Sequence, residues 1–558
     1  MVIWRKKKKE FSYIYIYKGP FSVARKMEQP ANMDIANSRD DKAYGLSVYT
    51  TDKEKGLESE SSLQEGELKR TFSVWSVLGI GFGLTNSWFG ISASLITGIQ
   101  SGGPMLIIYG IIIIAFISYC IGITLSELSS AIPSAGGQYV WTRVLSPRKY
   151  SGFLSYLCGS LAWAGSLFTS ALMALSIALT IMGFWNLMHP DHVTKSWELF
   201  VVYQIVNASL VIFNCYGKYL PFIANGALYT SLFLYVVITI TVLACAKGNY
   251  QSADFVFVTF ENGTGWKSAG IAFIVGLINP NWSFSCLDLA SHLAEEVHNA
   301  DSVIPIAILG TVTIGMVTSL TYAIAMFFCV TNLDNIINHG TGLPILDIYH
   351  QALNNRAGAI CLGTLILFTA IGCTISSHTW QARLCWSFSR DNGLPFSKYL
   401  SIVDPNLGVP LNAHLASSAI VAVLGCLYLA SSTAFNSMVV GCITFLLLSY
   451  MVPTVCLLYR GRNNIKHGCF WLGKLGLFAN VMTIAWALFA LGFYSLPSFM
   501  PVTAGTMNYV CVVYGVYAVL AMGYWFFPIK KYSCRAHFAG GLGNNEEEEF
   551  PDVCLTQL

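Results

Sequence analysis

Two short stretches gather the residues best placed to act on a solute. They are Asn86-Ser87-Trp88-Phe89-Gly90 and Asn279-Pro280-Asn281-Trp282-Ser283-Phe284-Ser285, the latter followed by Asp288. Each lies inside an apolar run long enough to cross a bilayer, from Phe72 to Gln100 and from Ser268 to Ala290. Asparagine, serine and glycine are weak helix formers, and proline lacks the amide donor and clashes with the preceding turn. Backbone groups freed at that depth cannot face lipid and must line a cavity inside the protein, where a solute can use them. The expectation is a binding site with two walls, one from each break. Ionisable groups are scarce in these runs, which makes each one informative. Asp288 is read as a contact for a charged solute or a proton site, against a structural hydrogen bond. His292 and His378 are candidate proton relays, the plainer reading being packed, hydrogen-bonded histidines. Glu127, Glu295 and Glu296 are expected to pair with Arg143, Arg383 or Arg390 as a gate at one end. A metal-ligand cluster, a nucleophile elbow and paired mid-membrane carboxylates are missing from the sequence, so no enzyme chemistry, metal or cofactor is expected.

The elements that must hold these residues are membrane spans. Hydrophobic residues make up 54% of the 558 and charged residues 11%, with a mean hydropathy of +0.56. This excludes an ordinary soluble protein and points to an all-α chain in the lipid bilayer. Residues 1–70 hold 14 of the 32 Lys and Arg and 11 of the 29 Asp and Glu, and are read as a disordered cytosolic tail that cannot bury a core. One expectation is that translation starts naturally at Met27 or Met33; a peptide from residues 1–26 found by mass spectrometry would exclude it. The net charge of +3 gives no ground for a nucleic-acid partner. No two of the sixteen cysteines are three apart, so zinc and redox CxxC motifs are not expected.

About twelve spans of the ~20 residues that a bilayer requires fill residues 71–527. Residues 528–558, with the acidic run Glu546 to Glu549, are read as a second cytosolic tail. With the amino terminus inside, fourteen Lys and Arg outside residues 1–70 fall on the cytosolic side and four, Lys195, Lys247, Lys267 and Arg356, on the other. Such an imbalance places both termini in the cytosol, and puts the sequon at Asn262 outside, where glycosylation is possible. The breaks fall in the first and sixth spans. That is the pattern of two five-helix units of opposite orientation, 71–246 and 267–459, followed by two further helices in 475–527, with a solute site at the midplane.

Several motifs carry a family resemblance. SELSSAIPSAGGQYVW (126–141) resembles the second-helix signature of the amino acid/polyamine/organocation superfamily. SRDNGLPFS (389–397) with VPLNAHLASS (409–418) resembles its fungal amino acid/choline permease branch. GFGLTNSWFGIS, FNCYGKYLP, GLINPNWSFSCLD and HTWQARLCWSFSRDNGLP are similar to the choline and ethanolamine carriers of that branch. The likeness covers nearly all of 71–527. It implies a LeuT-like fold with helices 1 and 6 discontinuous, and import of choline and ethanolamine across the fungal plasma membrane by alternating access.

Such a solute is a permanent or protonated amine, held by aromatic faces at roughly 0.5–2 kcal/mol per ring and by the negative ends of half-helices. The residues that would do this are Trp88, Phe89, Trp282 and Phe284, with Trp163 and Trp386 as further rings. Gly90 would allow close approach, and Asn86, Thr85 and Ser285 would bond the hydroxyl. In carriers of amino acids the first break has small residues where this chain has Trp88 and Phe89, a departure that favours a cationic amine. A monovalent cation gains about 2.3 kcal/mol per 100 mV on entering a negative-inside cell, so membrane potential, a proton gradient or both could drive uptake. Two alternatives stay open, a permease of the same fold for 4-aminobutyrate or another amino acid, and a nutrient receptor that binds without flux.

Overall fold

The computed structural model describes the backbone of residues 3–8 and 11–16, and residues 70–339, 341–526 and 532. The chain divides into two units, Met1–Gln64 and Glu65–Leu558. In the first, β1 (Ile3–Lys8) pairs antiparallel with β2 (Phe11–Ile16). This departs from the expectation of disorder throughout residues 1–70, and the Ile and Tyr residues of β2 suit a strand. The remainder of that expectation, and all of the carboxyl-terminal one except Tyr532, lies outside the described residues.

The second unit is helical, since in lipid every backbone polar group must find its partner within the protein. α1 (Val74–Thr85) starts on Ser73, whose hydroxyl accepts the Ser76 amide, satisfying one of the orphan donors of a first turn. It stops at Asn86, and α2 (Ser87–Ala93) follows. α3 (Leu95–Ala131) turns a corner at Gly102–Gly103 ahead of Pro104; Gly103 takes φ +68°, which costs little without a Cβ. This corner separates the first expected span from the second. Next come α4 (Gln138–Leu145), α5 (Arg148–Met188), α6 (Ser196–Val211), α7 (Leu220–Cys245) and the short α8 (Ala253–Phe257). The sixth span is α9 (Ala269–Gly276), α10 (Ile278–Ser283) and a 3-10 helix, Leu287–Glu296. α11 (Ala300–Phe328), α12 (Leu333–His339), α13 (Pro344–Leu353), α14 (Arg356–Arg390) and α15 (Ser397–Leu400) follow, then α16 (Leu411–Ala430), α17 (Ser432–Arg460), α18 (Lys474–Phe493) and α19 (Val510–Phe526).

Among the described residues ten segments are long and apolar enough to cross a membrane. The interrupted pair α1–α2 and the 17-residue α19 bring the number to the expected twelve. Protein buries 72% of the most apolar window of α5, of Ala269–Glu296 and of α17, against 28% for α7, so the sixth span lies at the centre of the bundle.

The two interrupted spans run antiparallel and touch along their length. The amides of Thr71 and Phe72, ahead of α1, donate to the Glu296 carbonyl at 3.0 and 3.1 Å. At the other end the Gly263 amide, ahead of α9, donates to the Gln100 carbonyl at 2.8 Å. The first and sixth spans therefore cross the membrane in opposite senses, as the inverted repeat requires.

Candidate functional site where the interrupted spans cross

The first break is a single residue. Asn86 has φ 27° and ψ 65°, its amide donates to the Phe82 carbonyl at 2.7 Å and its own carbonyl accepts the Gly90 amide at 2.9 Å. Asparagine tolerates positive φ better than most residues. Trp88, Phe89 and Gly90 are thus helical.

The sixth span departs from the sequence expectation. Asn279-Pro280-Asn281 lies within α10, where Pro280 is the third residue; a first turn has no intrahelical use for an amide at that point, so proline is tolerated. The backbone opens instead at Phe284–Cys286, with Cys286 left-handed at φ 67°.

These two openings meet. The Thr85 hydroxyl donates to the Ser285 carbonyl at 3.2 Å. A Cβ on Gly90 would stand 2.9 Å from the Cα of Ser283, so only glycine lets α2 and α10 approach this closely. Asn279 Nδ2 donates to the Ile91 carbonyl at 3.2 Å and to Ser94 Oγ at 2.6 Å, fixing the crossing on its other side. Ser285 is half-buried while its neighbours are buried, and its hydroxyl donates to the Asn281 carbonyl at 2.8 Å.

The aromatic candidates separate into two groups. Phe284 and Trp282 are buried in the sixth span beside its opening, and Phe89 lines a cleft with Ser92, Ser176, Thr180 and Ile366 between α2, α5 and α14. Trp88 is committed elsewhere. Its indole N–H donates to Ser231 Oγ of α7 at 3.0 Å, beside Asn86 Nδ2 at 2.9 Å, and its ring lies against Tyr322 and Tyr235. The phase of α2 therefore turns Trp88 toward α7 and α11. Trp386 is likewise engaged elsewhere, with its N–H on the Ser401 carbonyl and the Arg390 guanidinium 4.5 Å from its ring centre. Trp163 is half-buried in α5 and its indole nitrogen is buried without a hydrogen-bond partner.

Beyond the sixth-span opening the polar groups form hydrogen-bonded networks. Asp288 is fully buried. Its Oδ1 accepts the Tyr450 hydroxyl of α17 at 2.5 Å, and its Oδ2 accepts Gln138 Nε2 of α4 at 2.6 Å. His292 Nε2 lies 3.2 Å from the same Oδ2. Asp288 thus spends both oxygens on protein partners, which differs from the reading of it as a solute contact. Further along the 3-10 helix, Glu296 accepts Arg383 Nε and Nη2 at 2.9 and 3.3 Å, and Glu295 accepts Arg390 Nη1 and Nη2, each at 2.8 Å. These bidentate pairs tie the sixth span to α14. Glu127 does not join them: it holds Arg462 at 2.8 and 3.0 Å and the Leu472 amide at 2.8 Å, binding α3 to the α17–α18 connection. Arg143 instead donates to Ser151. His378 is fully buried beside His414, with neither ring nitrogen hydrogen-bonded. The exposed Asn262 accepts the Thr264 hydroxyl at 2.6 Å.

Sequence reasoning missed Ser231, Gln138, Tyr450 and Tyr322. All four are ordinary polar or aromatic residues within helices; Gln138 lies in the 126–141 signature, and no local signal distinguishes the other three.

Comparison with known proteins adds three relatives and a family. A family profile described as "Amino acid permease" matches residues 72–517. A choline transporter of Saccharomyces cerevisiae is 58% identical over 467 residues, 84% of this chain and 83% of that protein. The 7-keto 8-aminopelargonic acid transporter of the same yeast is 35% identical, over 82% of this chain and 92% of that protein. Its GABA-specific permease is 29% identical, over 87% and 86% respectively.

Proposed function

We propose that this chain, which belongs to the amino acid permease family, carries choline, and with it ethanolamine, inward across the plasma membrane by alternating access. Secondary transport follows from the family; the solute is our reading. The observation that carries it is the meeting of two backbone openings, joined through Thr85 and Ser285, in a chain 58% identical to a yeast choline transporter. Phe89, Trp282 and Phe284 offer the rings for the methylated nitrogen, each worth roughly 0.5–2 kcal/mol. Asn86 Oδ1 and the Trp163 N–H, both buried without a partner, and the Ser285 hydroxyl suit the polar end of the solute, while Gly90 permits the close crossing of α2 and α10. Trp88 acts as a buttress that sets the angle of α2. Uptake is driven by membrane potential, a proton gradient or both.

The basic end, where Arg383 and Arg390 are locked to Glu296 and Glu295, is the cytosolic face in this reading, and these pairs are its gate. In cells lacking their own carrier, labelled choline uptake should saturate. Ethanolamine should compete and 4-aminobutyrate should not. Saturable 4-aminobutyrate uptake that choline leaves unaffected would instead select the amino acid permease alternative, and binding without flux would select the receptor.

A further inference from the structure

The polar network around Asp288 contains a proton that a carboxylate and a neutral histidine together do not supply. His292 Nδ1 lies 2.8 Å from the Ala135 carbonyl. A carbonyl only accepts, so Nδ1 carries its hydrogen. The other ring nitrogen, Nε2, faces Asp288 Oδ2 at 3.2 Å. With Nδ1–H in place, neutral imidazole presents a lone pair at Nε2, and an ionised carboxylate presents another. Two acceptors at that distance repel unless a proton lies between them. Either Asp288 is protonated and donates to Nε2, or His292 is an imidazolium and donates from both nitrogens. Both arrangements hold one proton.

The surroundings keep it there. Asp288 and His292 are both buried. Gln138 of α4 and Tyr450 of α17 occupy the remaining carboxylate positions. The next charged groups along the 3-10 helix, Glu295 and Glu296, are neutralised by Arg390 and Arg383. Among the described residues, the hydrogen bonds and ion pairs of the two side chains include no further charged group.

We propose that Asp288 and His292 form the binding site for a co-transported proton, taken up with the solute and released when the basic end opens. This rests on the transporter reading above and names its coupling ion. When the sixth span swings away from α4 and α17, Gln138, Tyr450 and the Ala135 carbonyl no longer enclose the pair. Water reaches it, and the proton leaves to solution, giving carboxylate and neutral imidazole. Solute and proton are then delivered to the same side.

The test uses the full-length protein in liposomes with the potential clamped by potassium and valinomycin, and a pH dye trapped inside. Choline influx into wild-type vesicles should acidify the lumen. Asp288→Asn keeps the network without the proton, because its Nδ2 can donate to His292 Nε2 while Gln138 turns its carbonyl inward. It should retain exchange of labelled for unlabelled choline, lose choline-driven acidification, and lose the pH dependence of uptake. His292→Gln should behave alike, and decides the matter if Asp288→Asn does not fold. Wild-type exchange without acidification, or acidification of wild-type stoichiometry in both variants, would overturn the proton site while leaving choline transport standing. Failure of wild-type exchange would instead remove the transporter reading, and the proton site with it.

Discussion

The Glu296–Arg383 pair makes a demanding test of the gate. Its side chains are 5% and 1% exposed, with hydrogen bonds of 2.9 and 3.3 Å. Removing one partner of such a pair strands a buried charge, at a cost of about 3–5 kcal/mol. Removing both leaves two polar groups of matching shape, and the cost falls to a fraction of that. If the pair holds the basic end closed, Glu296→Gln and Arg383→Gln each shift that equilibrium toward the open state by about two to three and a half decades, at about 1.4 kcal/mol per decade. The readout is native Cys385 of α14, a free thiol that is fully buried two residues after Arg383. Its modification by a small thiol reagent, followed on its peptide by mass spectrometry, should accelerate strongly in either single variant. The double variant should return toward the wild-type rate. If Cys385 stays protected in both single variants, or the double is as reactive as the singles, the pair is no gate.

Four further outcomes follow from particular contacts. Gly90→Ala brings a Cβ to 2.9 Å from a backbone atom of Ser283, which cannot rotate away. Overpacking of about 1–3 kcal/mol should reduce choline uptake by one to two decades at unchanged surface expression, and normal kinetics would show that the crossing is looser than described. Trp282→Ala should raise the apparent KM for choline about two- to thirtyfold through the lost ring, and an unchanged KM would remove Trp282 from the site. Asp347, in α13 outside the spans, has its carboxyl raised from 3.8 to about 6 by burial, against the lowering effect of its bonds with Thr341. The folded state then binds the proton more tightly than the unfolded one. Stability of the detergent-solubilised protein should therefore fall by up to about 3 kcal/mol as pH rises from about 4 to about 6, and Asp347→Asn should flatten that slope in thermal unfolding. Asn262→Gln should abolish any shift in mobility on deglycosylation; a shift that persists would place the glycan elsewhere.

How much of this was legible depended on whether the cause was local. Asn86 is a weak helix former in an apolar run, and the chain breaks there. Pro280 carries the strongest breaking signal in the sixth span, yet a first-turn position makes it harmless, and the chain opens four residues later. At Phe284–Cys286 the opening coincides with a long-range hydrogen bond from Thr85 to Ser285, which no reading of the sixth span alone could find. Partner choice was hidden for the same reason. Glu127 reads as an acid that pairs with Arg143, Arg383 or Arg390, but its partner Arg462 lies 335 positions away. The face that Trp88 presents is set by the rotation of α2 against Ser231 and Tyr322, not by its place beside a break.

The 3-10 helix Leu287–Glu296 makes these separate contacts act together. At ten residues it far exceeds the three or four that this poorer hydrogen-bond geometry normally sustains, so its shape is imposed by what it touches. One stretch of it holds Asp288 and His292 against α4 and α17, another holds Glu295 and Glu296 against α14, and its last carbonyl takes the amides of Thr71 and Phe72. Moving only one of these contacts strands a buried carboxylate, at a cost of several kcal/mol. Moving the segment as a body brings water to all of them at once. Partly opened forms are therefore the least stable, and the basic end has two states rather than a continuum. Release of the resident proton, rupture of both ion pairs and parting of the first span from the sixth become one event.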